Sequence, residues 1–146
     1  MSVRVYLDSC ISIYYVELRL PWFAMIEQAF SGDGAPELFI SDLVRLECFV
    51  LPVRNGDERL KERFDRFFAR TIKLELPSEV YELATGLRAR HNIKTPDAIH
   101  LAAAIHHDCD EFWTNDHRLD RASEDITIRV FEPAPRPGDA TTPGPV

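Results

Sequence analysis

Four acidic residues far apart in the chain, Asp8, Glu47, Asp97 and Asp116, each stand where a carboxylate can reach one cleft. Asp8 ends the apolar run Val3-Arg4-Val5-Tyr6-Leu7, and Asp116 follows Glu111-Phe112-Trp113-Thr114-Asn115; both runs read as strands. Asp97 falls in the first turn of a helix that opens Thr95-Pro96-Asp97-Ala98. Glu47 is three or four residues from Leu43, Val44, Val50 and Leu51 in a helical stretch, beside an apolar stripe where a carboxylate must find a cation. Singly, these acids have ordinary explanations: a helix-dipole partner at Asp97, turn residues at Asp8 and Asp116, a buried ion pair at Glu47. Jointly they do not. Two like charges about 5 Å apart repel by about 3 kcal/mol at an effective dielectric near 20. Four converging carboxylates therefore call for a divalent counter-ion, and an all-oxygen ligand set suits magnesium or manganese.

The elements that must position these acids alternate between two periods. Strand-like runs occur at 3–7, 37–40, 71–76, 111–114 and 126–131, and helical patterns at about 10–30, 42–52, 57–70, 78–91 and 96–107. That alternation predicts an α/β fold, a three-layer sandwich with a central, mainly parallel sheet of about five strands flanked by helices. In such a sheet, ligands bind beyond the carboxyl ends of the strands, the edge that Asp8 and Asp116 reach. Thr95 is the expected N-cap of the last helix with Pro96 at its first position, and Ser41 and Ser78 are expected to cap two others. The domain is expected to span 1–132. From 133 to 146, five prolines and two glycines among small polar residues predict a disordered tail.

Composition bounds the function without choosing it. At 146 residues, 45% hydrophobic and 28% charged, the chain matches one globular domain with a sizeable core. No apolar run is long enough to span a bilayer, and the N-terminus has no signal-peptide pattern, so a cytoplasmic location without membrane contact is expected. Cys10, Cys48 and Cys109 suit reduced thiols. A net charge of −7 argues at first against a polyanionic partner. The distribution softens this: residues 54–73 carry seven basic and four acidic side chains, and 88–94 carry three basic and none acidic.

Tyr6-Leu7-Asp8-Ser9, Arg45-Leu46-Glu47, Thr95-Pro96-Asp97-Ala98 and Thr114-Asn115-Asp116 resemble, in order and spacing, the four motifs of PIN-domain nucleases. The likeness covers about residues 3–131 and is greatest to the VapC-type toxins of VapBC toxin–antitoxin pairs. Cys10 departs from the small polar residue the family often carries there. The resemblance implies a magnesium- or manganese-dependent endoribonuclease in which Asp8, Glu47, Asp97 and Asp116 hold the metal. Ser9 and Thr114 would support those ligands by hydrogen bonds. A metal-activated water would cleave the phosphodiester, with no side-chain nucleophile. RNA is then the expected substrate, and a cognate antitoxin and a second copy of the chain, as a homodimer, are the expected protein partners.

Other residues could serve the same chemistry. Arg88, Arg90 and Lys94, leading into the helix of Asp97, and Arg118, just after Asp116, are candidates to meet RNA phosphates. In the 57–70 helix, Leu60, Phe64, Phe67 and Phe68 form an apolar stripe beside Arg59, Arg63, Arg66 and Arg70. The phenylalanines are either core or, with Tyr14-Tyr15 and Trp22-Phe23, a groove for a partner segment. His100, His106, His107 and Cys109 do not make a zinc site, since adjacent helical residues point about 100° apart. A non-catalytic module of the same fold that binds RNA or protein is the alternative function. A phosphotransferase or dehalogenase using Asp8 as nucleophile would need a second aspartate two residues on, where Cys10 stands.

Overall fold

The computed structural model describes residues 2–133. Apart from Pro133 itself, the tail expected at 133–146 lies outside the described residues. Five strands, β1 (Arg4–Leu7), β2 (Glu37–Ser41), β3 (Ile72–Leu74), β4 (Glu111–Thr114) and β5 (Thr127–Val130), form one sheet in the order β3-β2-β1-β4-β5. Every pairing is parallel, so the sheet expected to be mainly parallel is wholly so. Six helices cover it: α1 (Ser9–Val16), α2 (Trp22–Phe30), α3 (Asp42–Asn55), α4 (Glu58–Phe68), α5 (Ser78–His91) and α6 (Thr95–His106). A 3-10 helix, His117–Ala122, joins β4 to β5. No helix among the described residues is long and apolar enough to cross a membrane.

Sheet register decides which side chains share a face. Tyr6 is level with Phe39 on one side and Phe112 on the other, and its ring stacks on Phe112 at 5.6 Å. This face looks toward α6, where His100 lies 5.7 Å from the Tyr6 ring. The next residues along, Leu7 and Trp113, face oppositely because side chains alternate along a strand. Trp113 stacks on Phe30 of α2, so both faces are covered and the core lies in two layers about the sheet. Short, fully buried strands such as Val5-Tyr6-Leu7 are what such a sandwich requires.

The helix expected over 10–30 is two helices. Pro21 cannot sit in a helix interior, and it steers the preceding residue from helical angles; α1 ends at Val16, Leu18 takes φ 56°, and α2 begins at Trp22. The 42–52 helix runs on to Asn55 and stops at Gly56 in the left-handed region, φ 61°. Capping differs as well. Lys94, not Thr95, is the N-cap of α6, and neither Ser41 nor Ser78 caps with its hydroxyl. Ser41 has another partner, the Tyr6 hydroxyl at 2.7 Å.

Candidate active site

The chain runs β1, β2, β3 in one direction across the sheet and then returns to β4 and β5 on the other side of β1. The switch point therefore lies between β1 and β4, where a crevice opens at the carboxyl edge. Asp8 follows β1 and Asp116 lies two residues beyond β4, so the two bracket that crevice. The pairing is reinforced by backbone, since the Asp8 N–H donates to the Trp113 carbonyl at 3.0 Å.

Asp8 is nearly buried and both its oxygens accept hydrogen bonds, from the Ser9 N–H and from the Thr114 hydroxyl, each at 2.8 Å. The same Thr114 oxygen accepts the Asp116 N–H at 3.2 Å, so one hydroxyl sets the spacing of two acids. Glu47 reaches in from α3. Its Oε1 accepts the Ser9 hydroxyl at 2.8 Å and His100 Nε2–H at 2.5 Å. Burial pushes the Glu47 carboxyl up, but the His100 hydrogen bond and charge, together with the Ser9 hydroxyl, outweigh it and hold the carboxyl below its ordinary value.

Asp97 behaves in the opposite sense. Burial first, then the negative charges of Asp8, Asp116 and Glu47, raise it from 3.8 to about 6 against the opposing pull of His100. Asp97 is thus within electrostatic reach of Asp8, Asp116 and Glu47. The cleft holds about 160 Å³ and is lined by Asp97 and Asp116 with Lys94, Arg118 and Arg121. Asp116 is kept ionised chiefly by Arg118, whose guanidinium grips both its oxygens at 2.8–3.3 Å.

Asp97 and Asp116 line the cleft itself, Asp8 and Glu47 stand behind them, and the four do not close into a tight cage. Among the described residues, the trio of ligand-type side chains with donor atoms within 4.8 Å of one another is instead His91, Glu124 and Asp125. That trio is mostly exposed, and Arg90 at 3.6 Å from Asp125 already answers its charge.

The basic candidates divide. Lys94 and Arg118 line the acidic cleft, whereas Arg88 Nε donates to the Ile93 carbonyl at 2.9 Å and Arg90 turns to Asp125. Arg121, not singled out from sequence, joins the first pair. Phe64, Phe67 and Phe68 are core residues rather than a free groove, though an edge of Phe67 reaches a surface hollow. The stripe invoked for Glu47 needs correction: Val44 is buried, but Val50 and Leu51 are exposed. Its position is explained by His100, which sequence reading considered only as a zinc ligand. The signal was present, a histidine one turn after Asp97 in an otherwise apolar helix.

A PIN-domain family model matches residues 5–125. The chain belongs to the PIN-domain family. No characterised protein matches it closely enough in sequence to report, and the further likeness is one of fold. VapBC2 from Rickettsia felis, solved with a promoter DNA fragment, superposes with a TM-score of 0.72 at 15% identity, over 89% of this chain and 100% of that one. A toxin–antitoxin complex from Klebsiella pneumoniae gives 0.67 at 20% identity over 86% and 96%. Mycobacterium tuberculosis VapC20, described as a toxin cleaving the sarcin-ricin loop, gives 0.66 at 14% over 84% and 95%. The fold of this PIN domain is thus that of VapBC toxin–antitoxin proteins.

The raised Asp97 carboxyl has a consequence for stability. Folding disfavours its ionised form, so the penalty grows as pH rises from about 4 to about 6 and is complete at neutral pH. Asp97→Asn should therefore stabilise the metal-free protein at pH 7 by about 1 kcal/mol, a value discounted because the carboxyl is half exposed to screening solvent. Urea denaturation in EDTA measures it; a variant less stable than wild type contradicts this account of the cleft.

Proposed function

We propose that this PIN domain is a magnesium- or manganese-dependent endoribonuclease and the toxin of a toxin–antitoxin pair. The carrying observation is the set of four acids at the β1/β4 switch point, with Asp97 driven up to about 6 by burial and by the other three. An oxygen-only donor set whose negative charge is only partly answered, by Arg118 and His100, fits a hard divalent cation. Asp8, Glu47, Asp97 and Asp116 would hold it. When bound, it would activate a water and neutralise charge developing on the phosphate.

The chain's own residues supply orientation and binding. Ser9 and Thr114 fix Asp8, and Ser9 and His100 fix Glu47. Lys94, Arg118 and Arg121 on the cleft wall are placed to bind RNA phosphates, which position a strand without reading its sequence. Cys10 is no competing nucleophile, because burial first and the Asp8 charge next push its thiol up and keep it protonated.

Two protein surfaces support the partners. A hollow of about 300 Å³ is floored by Tyr15, Phe23 and Phe67 and edged by Arg66 and Arg70, which suits an apolar antitoxin segment with acidic flanks. On α3, Leu46, Val50 and Val53 are 60%, 44% and 61% exposed at helical spacing, a face suited to a second copy of the chain. Val50→Lys should convert a homodimer to monomer in sedimentation velocity; an unchanged oligomer rules this face out.

Cleavage itself is the decisive assay. Purified protein should cut RNA only with magnesium or manganese, leaving 5′-phosphate and 3′-hydroxyl ends, and the paired antitoxin should suppress cutting. Asp8→Asn should lower the rate at least 100-fold while the protein stays folded, on the scale expected when a metal ligand is lost. Cleavage in excess EDTA, or cyclic 2′,3′-phosphate products, would refute the reading.

A further inference from the structure

Among the described residues, His100 is a buried ionisable side chain that joins Glu47 to the core. It is 1% exposed, and both ring nitrogens are occupied. Nε2 meets Glu47 Oε1 at 2.5 Å and lies 3.9 Å from Asp8 Oδ1. Nδ1 meets the Tyr6 hydroxyl at 2.8 Å, and that hydroxyl meets Ser41 Oγ at 2.7 Å. Tyr6 and Ser41 are both fully buried, Tyr6 on β1 and Ser41 at the end of β2.

The polarity of this chain follows from its ends. A carboxylate only accepts, so Nε2 carries the proton that Glu47 receives. Burial above all drives the Tyr6 phenol far up, so it keeps its single proton, donating it to one of His100 Nδ1 and Ser41 Oγ while its oxygen accepts from the other. The ring is therefore fixed at both nitrogens, one against the sheet and one against the carboxylate. Stacking of Tyr6 on Phe112 fixes the sheet end in turn.

Glu47 needs such a brace more than the other acids do. Asp8, Asp97 and Asp116 stand on short side chains beside strand ends or in a first helical turn. Glu47 extends from α3 on a longer, more flexible side chain and its exposure is intermediate. Its Oε1 is held by His100 and Ser9, and Oε2 has no hydrogen-bond partner among the described residues, which leaves that oxygen for a cation.

We propose that His100, anchored to the sheet through Tyr6 and Ser41, is a positioning residue that presents Glu47 to the metal. The inference rests on the metal-site reading given above and adds a residue that neither binds metal nor touches RNA. Groups that orient a metal ligand typically change affinity 10–100-fold when removed. A residue that served only packing would leave affinity unchanged in any variant that folds.

The test is Mn2+ binding to RNA-free protein, followed by electron paramagnetic resonance, with thermal melting as the check on folding. His100→Leu should weaken Mn2+ binding roughly 10–100-fold. His100→Gln, which keeps an N–H donor near the Nε2 position, should recover most of that loss. Tyr6→Phe removes the anchor one step back and should weaken binding roughly 3–10-fold, which keeps the proposal testable if His100→Leu fails to fold. In the cleavage assay, each folded variant should need more Mn2+ for half-maximal rate yet approach wild-type kcat at saturation.

A folded His100→Leu or Tyr6→Phe protein with wild-type Mn2+ affinity overturns the proposal. So does a kcat that stays low at saturating Mn2+ with affinity unchanged, because His100 would then act on the reaction itself. If the wild type binds no Mn2+, the metal reading falls and this inference with it.

Discussion

Mutual repulsion among four carboxylates at one edge of the sheet is the constraint around which the rest is organised. The fold does not relieve it at Asp97, where burial first and then the charges of Asp8, Asp116 and Glu47 raise the carboxyl to about 6 against the opposing pull of His100. At the other three acids it meets the repulsion with donors. Asp8 receives the Ser9 N–H and the Thr114 hydroxyl, Glu47 receives the Ser9 hydroxyl and His100, and Asp116 receives Arg118. Only Asp97 has no donor of this kind among the described hydrogen bonds, and it is the acid whose ionisation folding opposes. A divalent cation in the cleft would favour the ionised form of all four, so metal binding and stability should be linked.

The sheet makes this concentration of charge possible because its order is β3-β2-β1-β4-β5. A first strand at the centre, flanked by the second and the fourth, puts residues 8 and 116 at adjacent strand ends although they are 108 positions apart in the sequence. Strands of three to five residues keep those ends close to the core. Thus the Tyr6 side chain can connect a buried sheet face to His100 while Asp8, two residues on, reaches the cleft.

Much of this was legible in the chain itself, for identifiable reasons. Strand ends are marked by a switch from apolar to acidic or polar residues, so the places of Asp8 and Asp116 could be read directly. The elements around them were less exact at breaks: Pro21 is a plain signal that the apolar stretch over 10–30 cannot be one helix. Glu47 was selected by a stripe that is partly solvent-exposed, because periodicity cannot distinguish a buried face from an unpartnered one; its actual brace is a histidine 53 residues away. The partners of Arg88 and Arg90 were hidden likewise, since both are set by tertiary contacts with Ile93 and Asp125. Phe64, Phe67 and Phe68 had two readings from sequence, and only packing shows that they belong to the core.

The central claim is that the cleft between β1 and β4 is the metal site. A crystal grown with Mn2+ and measured by anomalous scattering locates the ion without reference to activity. The account places the peak in that cleft, in contact with carboxylates from Asp8 and Asp97 and with Glu47 turned toward it. A peak held instead by His91, Glu124 and Asp125, or no peak in the cleft at saturating Mn2+, would contradict it.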